Sequence, residues 1–260
     1  MVVVAAATAG ACGAKPPALP TGAGTPFSGY AAAYDEATAG CRAIKTISAS
    51  MSLSGKAGST KLRGRIDAGF AAPARARLEG IPPFGKPVFV LVAEDGRGTL
   101  VLTREDRVLR DAPPEAIVEA LAGVPLTPDA LRTIVSGCGF SDTAPTGGSE
   151  IRDTAADWVV LSFPESTGYL KREGGAWRLA AASRGSVTVR YDTFDGARPA
   201  GVGIRATADG RVTADIHLAL SDVATNVTLD PRTFVPDLPE HSVPLSLDEL
   251  RRAGPMGGER

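Results

Sequence analysis

Apolar residues recur along this chain with two periods, and the places where the period changes mark its elements. After Thr25-Pro26, which reads as an N-cap followed by the first helical residue, Phe27, Tyr30, Tyr34, Ala37 and Cys41 fall at helical spacing. From Ile47 the period drops to two. Ile47, Ala49, Met51 and Leu53 alternate with serines 48, 50 and 52, and residues 55–59 form a turn. Leu62, Ile66 and Phe70 then alternate with Arg63, Arg65 and Asp67, and Ala74, Ala76 and Leu78 with Arg75, Arg77 and Glu79. These segments predict antiparallel strands with one wet face. Residues 88–94 are apolar on both faces, which predicts a strand covered on both sides, and 99–103 and 108–109 continue the meander.

Two helices interrupt it. Pro113-Pro114 opens one that carries Ile117, Val118 and Leu121 and stops at Gly123. Thr127-Pro128 caps the other, which carries Leu131, Ile134 and Val135 and closes at Gly137. A polar loop is expected at 142–149. Strands resume at 158–163, 169–172, 177–182, 187–194, 202–207 and 212–220, the last two joined by an Asp209-Gly210 hairpin turn. Past Pro231 the chain is Pro-rich and loop-like, with one short helix predicted at 247–252. The fold class is therefore mainly β with helices (α+β): about a dozen antiparallel strands curling into a half-barrel, with the helix pair as its lid. The side chains expected to line an apolar cavity are Met51, Leu53, Leu62, Ile66, Leu78, Val90, Leu100 and Leu102 on the sheet, and Ile117, Leu121, Leu131 and Ile134 on the helices. Periodicity alone fits a filled core equally well.

Composition narrows the classes of function. The 260 residues are 43% apolar and 22% charged, with a formal net charge of −1, so the chain is globular and has no excess of positive charge for nucleic acid. No apolar run reaches the ~20 residues of a spanning helix. The two histidines, His217 and His241, have no metal-like spacing, and there is no nucleophile elbow, P-loop, dinucleotide fingerprint or C-x-x-C. The expectation is a non-enzymatic protein without metal or cofactor.

The N-terminus suggests export. Residues 1–11 read as a signal peptide that lacks its positive n-region, and Ala9-Gly10-Ala11-Cys12 resembles a lipobox with Cys12 as the lipidated residue. Residues 12–25 form a Pro/Gly/Ala-rich tether. With Cys12 so employed, Cys41 and Cys138 remain, either as a disulfide in an oxidising periplasm or as two buried thiols. The expected layout is thus signal peptide, tether, a domain over 26–230 and a tail over 231–260.

The run Ala76-Arg-Leu-Glu-Gly-Ile-Pro-Pro-Phe-Gly-Lys-Pro-Val-Phe-Val-Leu91 resembles a strand–loop–strand of the LolB family of outer-membrane lipoprotein receptors. Residues 114–139, with Gly123-Val-Pro125 between two helices that end in Gly, resemble that family's lid, and 191–219 its closing hairpin. The ending Asn226-Val-Thr-Leu-Asp-Pro-Arg-Thr-Phe234 is more similar to the periplasmic carrier, LolA. The resemblance implies a cavity for lipoprotein acyl chains and a receptor anchored by lipid in the outer membrane, facing the periplasm. It also implies two partners, a periplasmic carrier protein and the inner leaflet of the outer membrane. On that mapping Pro83, Phe84 and Gly85 form a membrane-insertion loop with Phe84 at its tip; by sequence alone Phe84 could equally tuck under its own loop. Two alternatives share the fold: a carrier of free lipid or glycolipid, and a sensor or assembly lipoprotein that transports nothing.

Overall fold

The computed structural model describes residues 18–152 and 156–255. Cys12 and the expected signal peptide lie outside these residues. The chain enters through a two-residue strand β1 (Thr25–Pro26) and helix α1 (Tyr30–Arg42). A meander follows: β2 (Thr46–Ala57), β3 (Thr60–Ala71), β4 (Arg75–Ile81), β5 (Phe89–Glu94), β6 (Arg97–Leu102) and β7 (Arg107–Ala112). Helices α2 (Pro114–Ala122) and α3 (Pro128–Ser136) come next. The second meander is β8 (Gly147–Arg152), β9 (Asp157–Ser162), β10 (Thr167–Glu173), β11 (Ala176–Arg184), β12 (Val187–Asp195), β13 (Arg198–Ala208) and β14 (Arg211–Thr225). A single 3-10 turn (Pro231–Phe234), β15 (Val243–Pro244) and α4 (Leu247–Ala253) complete the described chain.

All strands belong to one open, curved sheet in the order β1-β8-β9-β10-β11-β12-β13-β14-β2-β3-β4-β5-β6-β7-β15. Neighbours in the sheet are neighbours in sequence except at three joints: β1 with β8, β14 with β2, and β15 with β7. The β14–β2 joint is the decisive one. It sets Leu218 opposite Leu53 and Leu220 opposite Met51, so the two meanders share one inner face. Residues two apart along each strand point to that face. In β2 the buried Met51, Leu53 and Ala57 point inward and exposed Ser52, Ser54 and Lys56 outward.

The expected strands and helices are present, with local corrections. Thr25-Pro26 is not a helix start. Both residues pair with β8, and α1 begins at Tyr30 after a turn in which the Tyr30 amide donates to the Phe27 carbonyl at 3.2 Å. Proline is compatible with the outermost strand of a sheet, where its missing N–H leaves no ladder bond unmade. The loop expected at 142–149 gives way to β8, whose sequence Gly-Gly-Ser-Glu-Ile-Arg has a single apolar residue and no period. Packing explains it: a Cβ at Gly148 would stand 2.3 Å from Tyr30 Cβ, so the glycine lets α1 lie on the strand.

The C-terminal stretch is not a loose tail. Phe234 is 4% exposed and covers Ala71, Val90, Val92, Val101 and Val108 on the outer face, with Leu229 and Leu238 beside it. This is the second cover that the two-sided apolarity of β5 requires. Leu250 of α4 is buried in the main core, and Arg107 holds Glu249 at 2.8 Å.

Candidate functional site

The inner face and the α2–α3 lid surround a cavity lined only by apolar side chains. Met51 and Leu53 (β2), Ile66 (β3), Leu78 (β4), Phe89 and Leu91 (β5), Ile204 (β13), and Ile216 and Leu218 (β14) form its floor. Val118, Leu121 and Ala122 of α2, Val124 and Leu126 of the linker, and Leu131 of α3 form its roof. The cavity is narrow, with a volume of about 70 Å³. A space with such walls stays dry and takes apolar ligands.

Each half of the lid is positioned by its sequence. In α3, the Thr127 hydroxyl accepts the Ala130 amide at 3.2 Å, Pro128 occupies the first turn, and Gly137 closes the helix at φ 96°. The C-terminal end of α3 is then tied down from several directions. Arg132, whose side chain is only 4% exposed, donates to the Ile44 carbonyl at 3.1 Å and pairs with Asp129 at 2.8 Å and Asp142 at 3.0 Å. Buried Tyr191 donates to the Ile134 carbonyl at 3.0 Å and accepts the Gly139 amide at 2.9 Å. Desolvation pushes its hydroxyl pKa well above the ordinary tyrosine value. Cys138 is bonded to Cys41 of α1, with the two Cα atoms 5.6 Å apart. By contrast α2 rests on apolar contacts: Ile117 lies over Gly98, where a Cβ would come within 2.8 Å of its Cδ1, and α4 packs alongside. Gly123, at φ 73°, ends α2 hard against Ala57.

Of the side chains expected to line a cavity, Met51, Leu53, Ile66, Leu78, Leu121 and Leu131 do so. Leu62, Leu100, Ile117 and Ile134 are buried in the surrounding core without reaching the space, and Leu102 is half-buried at its edge. Val90 is misplaced by that expectation. It lies on the outer face with Val92 and Phe234, because the odd and even positions of a two-sided apolar strand cannot be told apart by pattern. The sequence reading missed Phe89, Leu91, Ile204, Ile216 and Leu218 on the floor. The last three alternate cleanly, but only the long-range β14–β2 pairing brings them to the cavity. Phe84 projects from the β4–β5 loop and is 93% exposed, so it is not tucked under that loop.

Among the described residues no group of His, Cys, Asp and Glu could hold a metal, and no helix is long and apolar enough to cross a membrane.

No family model matches the chain, and no curated protein matches it in sequence. Solved structures do match it. A LolA-superfamily protein of Nitrosomonas europaea superimposes with a TM-score of 0.50 at 12% identity, covering 78% of this chain and 94% of the other. A DUF1329-family protein of Desulfovibrio piger gives 0.49 at 13% identity, over 78% and 95% of the two chains. A domain described as an outer membrane lipoprotein-sorting protein, from Vibrio parahaemolyticus, gives 0.44 at 11%, over 74% and 89%. The first of these places the open curved sheet in the fold of the LolA superfamily. At such identities the likeness is one of fold.

Proposed function

We propose that this chain is a lipid-anchored receptor, facing the periplasm, that binds the acyl chains of lipoproteins and passes them to the outer membrane. One observation carries the reading: a cavity walled by apolar side chains alone, roofed by a helix pair, inside a sheet of the LolA-superfamily fold. Burying an acyl chain there contributes about 0.8 kcal/mol per CH₂. A donor cavity or a bilayer offers the same, so transfer runs near balance and needs no nucleotide. The present space is too narrow for extended chains, so cargo enters as the lid moves. The half that moves is α2 with the 123–127 linker, since α3 is tied by Arg132, Tyr191 and Cys138. Cys12 supplies the anchor. Phe84, at the tip of a turn stiffened by Pro82 and Pro83, enters the bilayer at delivery.

The test uses protein purified from membranes, with lipid and lipoprotein identified in the native complex by mass spectrometry. Lipoprotein should co-purify with the wild type. Ala122→Phe, which fills the cavity from the lid with apolar volume, and Leu218→Glu, which puts a charge on its floor, should both remove it. Phe84→Glu should retain cargo and block delivery, because a charge at the tip opposes entry into the acyl region. Cargo bound equally by wild type and both cavity variants, or no cargo accepted from a carrier, would overturn the proposal. Free phospholipid or glycolipid as the only bound species would make the protein a lipid carrier instead.

A further inference from the structure

The end of the sheet that carries Phe84 also carries a cluster of cations. In the hairpin between β2 and β3, residues 54–66 contain Lys56, Lys61, Arg63 and Arg65 and no acidic residue. The β4–β5 loop adds Lys86 beside Phe84, again with no acidic residue between Gly80 and Phe89. Strand pairing brings the two together. β4 ends with Ile81 opposite Arg65, so the hairpin runs on past the end of β4, and the Phe84 loop starts at the level of its outer half.

Leu62 and Ile66 are buried on the inner face, which puts Lys61, Arg63 and Arg65 on the outer one. Lys56 stands directly opposite Lys61 in the ladder, and both are exposed. Like charges set directly across a strand pair disfavour it. Two of the acids nearest this group are already engaged: Asp215, across from Lys56 on β14, pairs with Arg205 at 2.7 Å, and Asp67 pairs with Arg65 at 3.1 Å, while Asp209 in the adjacent β13–β14 turn is followed two residues on by Arg211. The neighbouring 103–106 turn is mixed in sign, with Arg104 beside Glu105 and Asp106. A hairpin that keeps two lysines face to face, next to an aromatic side chain 93% exposed, has the two components of a lipid-surface contact: charge for headgroups and an apolar tip for the acyl boundary.

We propose that the β2–β3 hairpin, through Lys56, Lys61 and Arg63 and together with Lys86 and Phe84 of the adjacent loop, docks on an anionic phospholipid surface. This rests on the reading that the molecule delivers its cargo at a membrane, and it names the lipid that the delivery end prefers. The cations hold the end of the sheet at the headgroups, and Phe84 penetrates between them.

The experiment is vesicle co-sedimentation of the full chain carrying Cys12→Ser, so that no acyl anchor contributes. Vesicles of phosphatidylcholine alone are compared with vesicles in which about one lipid in three is phosphatidylglycerol, at roughly 0.1 M and 1 M salt, where the screening length falls from about 10 Å to about 3 Å. The wild type should prefer the anionic vesicles at low salt and lose the preference at high salt. A basic residue near an anionic surface is worth about fivefold in affinity, so Lys56→Gln/Lys61→Gln/Arg63→Gln should weaken anionic binding on the order of a hundredfold. The same triple variant should bind neutral vesicles as the wild type does and melt no lower, since it removes a repulsion. Phe84→Ala should weaken binding to both vesicle types.

Unchanged anionic binding by the triple variant overturns the proposal. If Phe84→Ala still loses binding in that case, the bilayer-insertion role of Phe84 stands without the electrostatic one. A triple variant that loses anionic binding while Phe84→Ala has no effect supports the hairpin contact and removes the insertion role. Wild type that ignores anionic vesicles but binds polyglutamate overturns the proposal in favour of an acidic protein surface.

Discussion

Replacing Cys41 and Cys138 together by alanine tests how far the lid depends on its covalent tie. The bond closes a loop with a sequence separation of 97. In the chain-entropy account, a loop of that length confines the unfolded chain enough to stabilise the native state by about 4.7 kcal/mol, and measured native bridges lie mostly at about 2–4. Residual contacts in the unfolded chain reduce the entropic figure, so the expected loss is about 3–4 kcal/mol. For a domain of this size that lowers the melting temperature by roughly 6–16 °C. Calorimetry of the double variant, and of wild type under a mild reductant, should give the same decrease, because both free the same loop. Amide exchange should localise the effect. The end of α3 retains Arg132 and Tyr191 and should stay protected, whereas α1 loses its link to the lid and should open earlier. A double variant that melts within about 1 °C of oxidised wild type would refute the loop-closure argument. A drop in the variant without a matching drop on reduction would assign the effect to packing of the two side chains.

Two further expectations concern single groups. Tyr191→Phe removes a hydroxyl that serves both the Ile134 carbonyl and the Gly139 amide; the carbonyl keeps the Gly137 amide at 3.1 Å, but the buried Gly139 amide loses its acceptor, and stability should fall by about 1–3 kcal/mol by thermal melting. Because the folded hydroxyl titrates above the unfolded one, the native state holds the proton more tightly; its contribution is complete below about pH 10 and declines above that, so the deficit of the variant should narrow in alkaline melts. The Ser246 backbone amide, the Ser246 hydroxyl and Arg107 together hold the Glu249 carboxyl down to about 2. With this depressed value, the contribution of Glu249 to holding α4 is complete above the ordinary carboxylate range and lost as pH falls through about 2, which amide exchange of α4 in acid should follow. Glu249→Gln should lower the exchange protection of α4 at neutral pH, without undocking the helix that Leu250 anchors, and flatten that acid dependence.

Much of this fold was written in local patterns. The serine alternation of β2, the Thr-Pro start and Gly stop of α3, and the two-sided apolarity of β5 each identify an element and the side it buries. What stayed hidden depended on partners far away in sequence. Gly148 reads as loop until Tyr30 is seen to need the space of its missing Cβ. Val90 and Leu91 are interchangeable in pattern, and only Phe234, some 140 residues on, makes one face the outer side. The cavity was legible by halves: its lid and the β2–β4 floor follow from period and helix caps. The β13–β14 floor awaited a strand pairing that no local signal encodes.

The two outermost strands have a consequence for how the molecule avoids its own kind. An open sheet of this length ends in two rows of unpaired amides and carbonyls, which invite another chain to add itself. Here each end is closed by a two-residue piece from the nearer terminus, β1 on β8 and β15 on β7, and a proline stands in each piece: Pro26 at one edge and Pro244 at the other. Asp111, at φ 54°, breaks the regular ladder of β7 beyond the reach of β15. The ends of the described chain thus act as stoppers against edge-to-edge polymerisation, and a version trimmed to its central meanders would keep its fold only at the cost of self-assembly.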